Sequence, residues 1–324
     1  MSGFMSSSTA LTICKADSAA SLGLDALRQH AFTPEIDADG RRFGWVGLGD
    51  PLDTDGFELA SVDARFMGFS FRLDTRKASG AVIRLQLAEA VREEIASGKK
   101  VSGKRKKELK EAITAKLTVR AEFVPSITDC IWDAEKGRLL VGSASAKAVQ
   151  PVLELFKTTF GIDVAPITPA GDMPKLFAAI LRGEGYPCEG YTLHPMGSAS
   201  LAASEQAEEK AAVAVQNSLN AVAQALEEGM AIQKLHLVAT SDADPDRQLE
   251  FTLDAGLAVS GLKLPKAEKG AEEDATFLVN ADVCAAVADM VEGGGFEVNI
   301  SRRTSIWSGR QNLCYFRPVA PFVL

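Results

Sequence analysis

Residues 80–117, "GAVIRLQLAEAVREEIASGKKVSGKRKKELKEAITAKL", place two helix-forming runs one after the other with no strand between them. The first has apolar residues at helical spacing and is closed by Gly98, a residue suited to the left-handed turn at a helix end. The second starts near Lys104. A chain built on regular strand–helix–strand crossovers has no place for such a pair, so the pattern points to an α+β fold. The connection is also where positive charge collects. Lys99, Lys100, Lys104, Arg105, Lys106, Lys107 and Lys110 face only Glu108 and Glu111. From Lys99 to Lys116 the segment contributes +6 to a net charge of −8, leaving −14 on the rest of the chain. Two readings are open: a solvated helix connection, or a surface for a polyanion held through its phosphates.

The rest of the chain alternates irregularly. A short helix is expected in "SLGLDALRQHAF" (residues 21–32), and the Gly/Asp-rich "RRFGWVGLGDPLDTDGF" reads as loop. "FMGFSFRLDTRK" reads as a strand from Phe66 to Leu73, and "DCIWDAEKGRLLVGSAS" as a hairpin. "SAKAVQPVLELFKTTFG" follows as a helix, with Ser143 or Ser145 as its N-cap and Gly161 at its end. The Ala-rich "SLAASEQAEEKAAVAVQNSLNAVAQALEEGM" predicts one or two long helices. Three short strands come next, "AIQKLHLVAT", "RQLEFTLD" and "LAVSGLKL", and then the helix "NADVCAAVADMVEGGG". The expected division is an N-terminal α+β part (1–80), the basic helix pair with hairpin and helix (81–170), Ala-rich helices with a β-meander and closing helix (171–295), and a β-rich tail (296–324).

No catalytic pattern emerges. His30, His194 and His236 are scattered, and neither HExxH, GxSxG, GxGxxG nor a P-loop is present. Cys14, Cys130, Cys188, Cys284 and Cys314 lie far apart and read as reduced thiols filling core positions. Asp242, Asp244 and Asp246 resemble the start of a calcium loop, but Arg247 and Leu253 stand where that loop needs Gly and Glu, which favours a polar hairpin tip over a metal site. In the tail, Arg302, Arg303, Arg310 and Arg317 alternate with Trp307 and Tyr315, a pattern shared by single-strand binders and half-buried sheets. The start "MSGFMSSSTALTICKADS" lacks a basic segment followed by a long apolar core, and no run approaches roughly 18 apolar residues, so a cytoplasmic protein with no metal or cofactor is expected.

The run from Gly98 to Pro166 resembles the RdgC family of recombination-associated DNA-binding proteins. The resemblance is carried by "ELKEAITAKLTVRAEF", "CIWD" and "SASAKAV" in that order. Weaker likeness covers "FTPEIDADGRRFGWVG", "ALEEGMAIQKLHL", "LEFTLDAGLAVSGLKL" and "NADVCAAVADMVEGGG". The resemblance implies an elongated, multi-part subunit forming a ring-shaped homodimer around duplex DNA. It implies no sequence specificity, no turnover and no cofactor, and an indirect effect on RecA-type recombinases in the nucleoid. Under it, Lys99, Lys100, Lys104, Arg105, Lys106, Lys107, Lys110, Lys116 and Arg120 are the DNA contacts.

The chain departs from the family pattern in three places. Glu122 stands where the family carries an aromatic residue that helps close the ring, with Phe123 next to it. The lysines ahead of the "EAGK" helix end are missing, with Gln216 kept, and the last Lys of that motif is Met230. The tail beyond Gly295 has no family counterpart. An interaction protein that keeps the fold without binding DNA, and a metal nuclease using the three aspartates, are the competing expectations.

Overall fold

A computed structural model describes residues 3–16, 21–183, 185–203, 213–216, 219–266, 270–293 and 298–300. Strand β1 (Ser8–Ala16), helix α1 (Leu24–Gln29), β2 (Arg42–Gly47) and β3 (Phe66–Arg76) lead into the helix pair α2 (Gly80–Ala96) and α3 (Gly103–Arg120). Next come β4 (Phe123–Asp133), β5 (Arg138–Val141), α4 (Ala146–Phe160), β6 (Val164–Pro169), α5 (Met173–Arg182), β7 (Tyr186–Cys188) and β8 (Tyr191–Ala203). The chain continues through β9 (Val213–Gln216), α6 (Leu219–Glu227), β10 (Met230–Ser241), β11 (Gln248–Asp254), β12 (Val259–Lys263), α7 (Glu273–Gly293) and β13 (Val298–Ile300).

The fold is α+β. Its sheet runs β2-β3-β4-β5-β1-β12-β11-β10-β8-β7, with β6 also on β1, β9 on β8 and β13 on β6. Every ladder between named strands is antiparallel. Strand β1 sits between the two halves: Cys14 and Lys15 pair with β5 on one edge and β6 on the other, and residues 8–11 pair with β12.

Period-two alternation sorts side chains into two cores. Ile131 of β4 and Leu140 of β5 join one core, with Leu11 and Ile13 of β1 and Phe277 and Met290 of α7. Their neighbours Cys130, Trp132, Leu139 and Val141 point the other way, into a core closed by Phe156 of α4 and Leu27 of α1. Aromatic packing fills that second core. Trp45 meets Phe69 edge-on at 5.0 Å between centroids, and its indole N–H donates to Thr159 Oγ1 at 2.8 Å.

Two expectations change. Residues 42–47 form a strand, not a loop. Trp45 and Val46 are fully buried, and Gly44 lets the strand pass Phe32 so closely that a Cβ would sit 2.3 Å from the Phe32 Cα. The Ala-rich stretch is not one or two long helices. Ser198–Leu201 pair with Val213–Gln216 in a ladder, and helix is confined to α6 among the described residues. Alanine's helix propensity is a weak prior that sheet pairing overrides here. The helix at 146–160 begins at Ser145, whose side chain makes no capping bond, and ends at Gly161 with φ +68°.

A basic helical hairpin as candidate nucleic-acid interface

Local chemistry shapes the hairpin of α2 and α3. Gly98 adopts φ +77°, and the Gly98 and Lys99 N–H groups donate to the Ile95 and Glu94 carbonyls, each at 3.0 Å. This is a Schellman closure, which a Cβ at position 98 would strain. Four residues later Ser102 caps α3, its Oγ accepting from the Arg105 N–H at 3.2 Å. Leu87 is buried in α2, but α3 buries no residue at all. Leu85 is 72% exposed, so the apolar spacing of α2 does not mark a helix laid on the core; the pair stands largely clear of it.

Arg105 joins the two helices. Its Nη2 and Nε donate to Glu94 Oε1 at 2.6 and 3.0 Å, and its Nη1 donates to Glu108 Oε2 at 3.2 Å. The hydrogen bonds from Arg105 hold the Glu94 carboxyl below its ordinary range, and the two carboxylates raise the guanidinium further. Sequence spacing gives no sign of Glu94. It lies eleven positions before Arg105, beyond the three- and four-residue spacings that mark helical ion pairs.

Lys99, Lys100, Lys104, Lys106, Lys107, Lys110, Lys116 and Arg120 are all exposed. They do not form a single stripe. Successive residues turn by about 100°, so Lys104 to Lys107 surround the helix, and the 1.5 Å rise sets Arg120 roughly 21 Å along the axis from Lys106. Lys107 lies 4.0 Å from Glu111. Lys107 and Lys110 line a cleft of about 920 Å³ between α3 and the end of β3, together with Ile36, Arg41, Arg76 and Val119. Arg76 donates to the Val119 carbonyl and lies 4.8 Å from the ring of Phe123, which also carries Arg42 at 3.9 Å. Val119, Val124 and Ile127, around Glu122 and Phe123, are 69%, 49% and 41% exposed.

The other candidates lie elsewhere. Asp242, Asp244 and Asp246 occupy the β10–β11 turn, where Asp242 Oδ1 accepts from Thr192 at 3.0 Å and Asp244 Oδ1 from the Asp246 N–H at 3.2 Å. Among the described residues no three His, Cys, Asp or Glu side chains gather as a metal site. Nor is any described helix long and apolar enough to cross a membrane. Cys14, Cys130, Cys188 and Cys284 are buried free thiols, and burial pushes Cys188 up to about 12. Cys314, Arg302, Arg303, Trp307, Arg310 and Arg317 lie outside the described residues.

No curated protein matches the chain. A family model described as "Putative exonuclease, RdgC" matches residues 14–289, which run from the end of β1 into the last turns of α7 and contain the whole hairpin. The chain therefore belongs to the RdgC family.

Proposed function

We propose that the chain binds duplex DNA without reading its sequence and modulates homologous recombination by occupying it. The observation that carries this reading is α3, a helix rich in lysine with no fully buried residue and with every one of its basic residues exposed. Its charge has no packing role to explain it, and it projects from an otherwise acidic chain. Backbone phosphates are what such a surface holds, and contacts of this kind carry no base information. Lys99, Lys100, Lys104, Lys106, Lys107, Lys110, Lys116 and Arg120 are the proposed phosphate contacts. The active form is a ring-shaped homodimer in the nucleoid, and its effect on a RecA-type recombinase is indirect, through shared DNA. Glu122 and Phe123, beside the exposed apolar residues at the base of α3, are the proposed dimer contact. The reading involves no metal, no cofactor and no turnover.

The test is binding to a random duplex of about 40 base pairs across a salt series. Replacing Lys99, Lys100, Lys104 and Lys106 together by Ala should weaken binding and flatten log K against log salt by about 0.9 for each phosphate no longer neutralised. An unmodified chain that fails to bind at low salt overturns the reading and turns the search to protein partners. Mg²⁺-dependent shortening of the same duplex would replace it with the nuclease reading. Sedimentation at micromolar concentration checks the dimer, and a monomer would refute the ring.

A further inference from the structure

We propose that Arg105, with Glu94, positions the DNA-contacting tip and does not itself contact phosphate. The inference rests on the DNA-binding reading above. The tip has two sides: Lys99 and Lys100 follow α2, and Lys104 and Lys106 belong to the first turn of α3. Six residues, Ser97 to Ser102, connect the helices, and residues 103–108 of α3 are all exposed, its half-buried side chains beginning only at Leu109, beyond the tip. At the tip the Arg105 fork fixes the relative position of the helices. It crosses to Glu94 with two donors on one oxygen and a third donor on Glu108. The Glu94 side chain is only 14% exposed and Arg105 47%. A guanidinium held by two carboxylates has little charge left to offer a phosphate, whereas Lys99, Lys100, Lys104 and Lys106 have no carboxylate oxygen within 4 Å among the described residues.

The two possible roles predict opposite signs. If Arg105 is a phosphate contact, Arg105→Lys keeps affinity and salt slope, because a point charge serves a phosphate. Glu94→Gln then tightens binding, because a negative charge leaves the vicinity of a polyanion. If Arg105 is a positioning residue, lysine cannot replace the planar fork. Arg105→Lys, Arg105→Ala and Glu94→Gln then all weaken duplex binding by about three- to tenfold, the effect of ordering one or two loosened segments at the interface. The salt slope stays at the unmodified value, since every phosphate contact is kept. Exchanging the charges, Glu94→Arg with Arg105→Glu, restores most of the affinity. Amide exchange over residues 97–104 in the free protein rises in the three weakened variants and falls again in the exchanged one. Tighter binding by Glu94→Gln, or a slope lowered by about 0.9 in Arg105→Ala, overturns the inference and leaves the DNA reading intact. An unmodified chain that binds no duplex at low salt overturns both.

Discussion

Arg138 is the most consequential buried charge in the fold, and Asp133→Ala tests its role. Both side chains have no exposed surface. Asp133 Oδ2 accepts from Arg138 Nε at 3.1 Å and lies 2.9 Å from Nη2, while Asp133 Oδ1 accepts from Arg65 Nε at 3.3 Å. Arg138 also reaches α7, donating to Asp289 Oδ1 at 2.8 Å and the Ala285 carbonyl at 3.2 Å, with Glu292 at 3.5 Å. Removing one member of a buried pair costs about 3–5 kcal/mol, because the survivor is left uncompensated. Here Asp289 and Glu292 remain, so the lower end applies, about 3 kcal/mol. Each kcal/mol lowers Tm by about 2–4 °C in chains of 150–250 residues and by less in longer ones, so a fall of no more than roughly 6–12 °C is expected. Urea unfolding followed by circular dichroism gives the free energy, and thermal melting gives the shift. Amide exchange should localise the loosening to α7, since Arg138 ties that helix to the β4–β5 hairpin. Replacing both partners with apolar residues, Asp133→Leu with Arg138→Met, should cost less than Asp133→Ala alone. A loss below about 1 kcal/mol in Asp133→Ala would show that the α7 carboxylates alone neutralise Arg138 and that Asp133 is dispensable.

Two further outcomes follow from close packing. Asp129 accepts from the Phe4 N–H and the Ser70 hydroxyl, each at 2.8 Å, yet burial outweighs both bonds and raises its carboxyl above the ordinary range. A carboxyl raised on folding stabilises the fold fully below its unfolded pKa, and that contribution is lost as pH rises through the folded value. Asp129→Asn should therefore gain stability relative to the unmodified chain as pH rises from about 4 towards neutrality, read as the difference of urea midpoints; a difference independent of pH would contradict this. Gly44→Ala should be severely destabilising, by about 3 kcal/mol or more, because the new Cβ meets the backbone of Phe32. A melt within about 1 °C of the unmodified chain would show that the 31–32 segment moves aside at no cost.

Elements governed by local chemistry are legible in the sequence. Gly98 and the alternation of β3, β4–β5 and β10–β12 mark the positions where the structure has a helix end and strands. What is not legible depends on partners distant in sequence. Strand β2 carries Gly44 and Gly47, which read as loop, and is a strand because β3 pairs with it and Phe32 crosses it. The segment around Ala202 reads as helix by composition and is held in β8 by β10. Arg138 opens the second strand of the hairpin read in "DCIWDAEKGRLLVGSAS", and only the arrival of α7 explains its burial. The Glu94–Arg105 pair likewise becomes visible only when the two helices are folded against each other.

The hairpin and the body answer to different physical demands. In the body, β1, β5 and the second half of β4 (128–133) face a core on each side, so packing constrains most of their residues. In the hairpin no residue of α3 is fully buried, and the tip is shaped by a glycine closure, a serine cap and one arginine fork. Exposed substitutions away from caps and ion pairs change stability by about 0.5 kcal/mol or less. Lys99, Lys100, Lys104 and Lys106 therefore can be replaced without unfolding the chain, and weaker DNA binding on replacing them reports contacts. Arg105 and Glu94 are the exception, because at that pair the geometry of the tip and its charge are the same interaction.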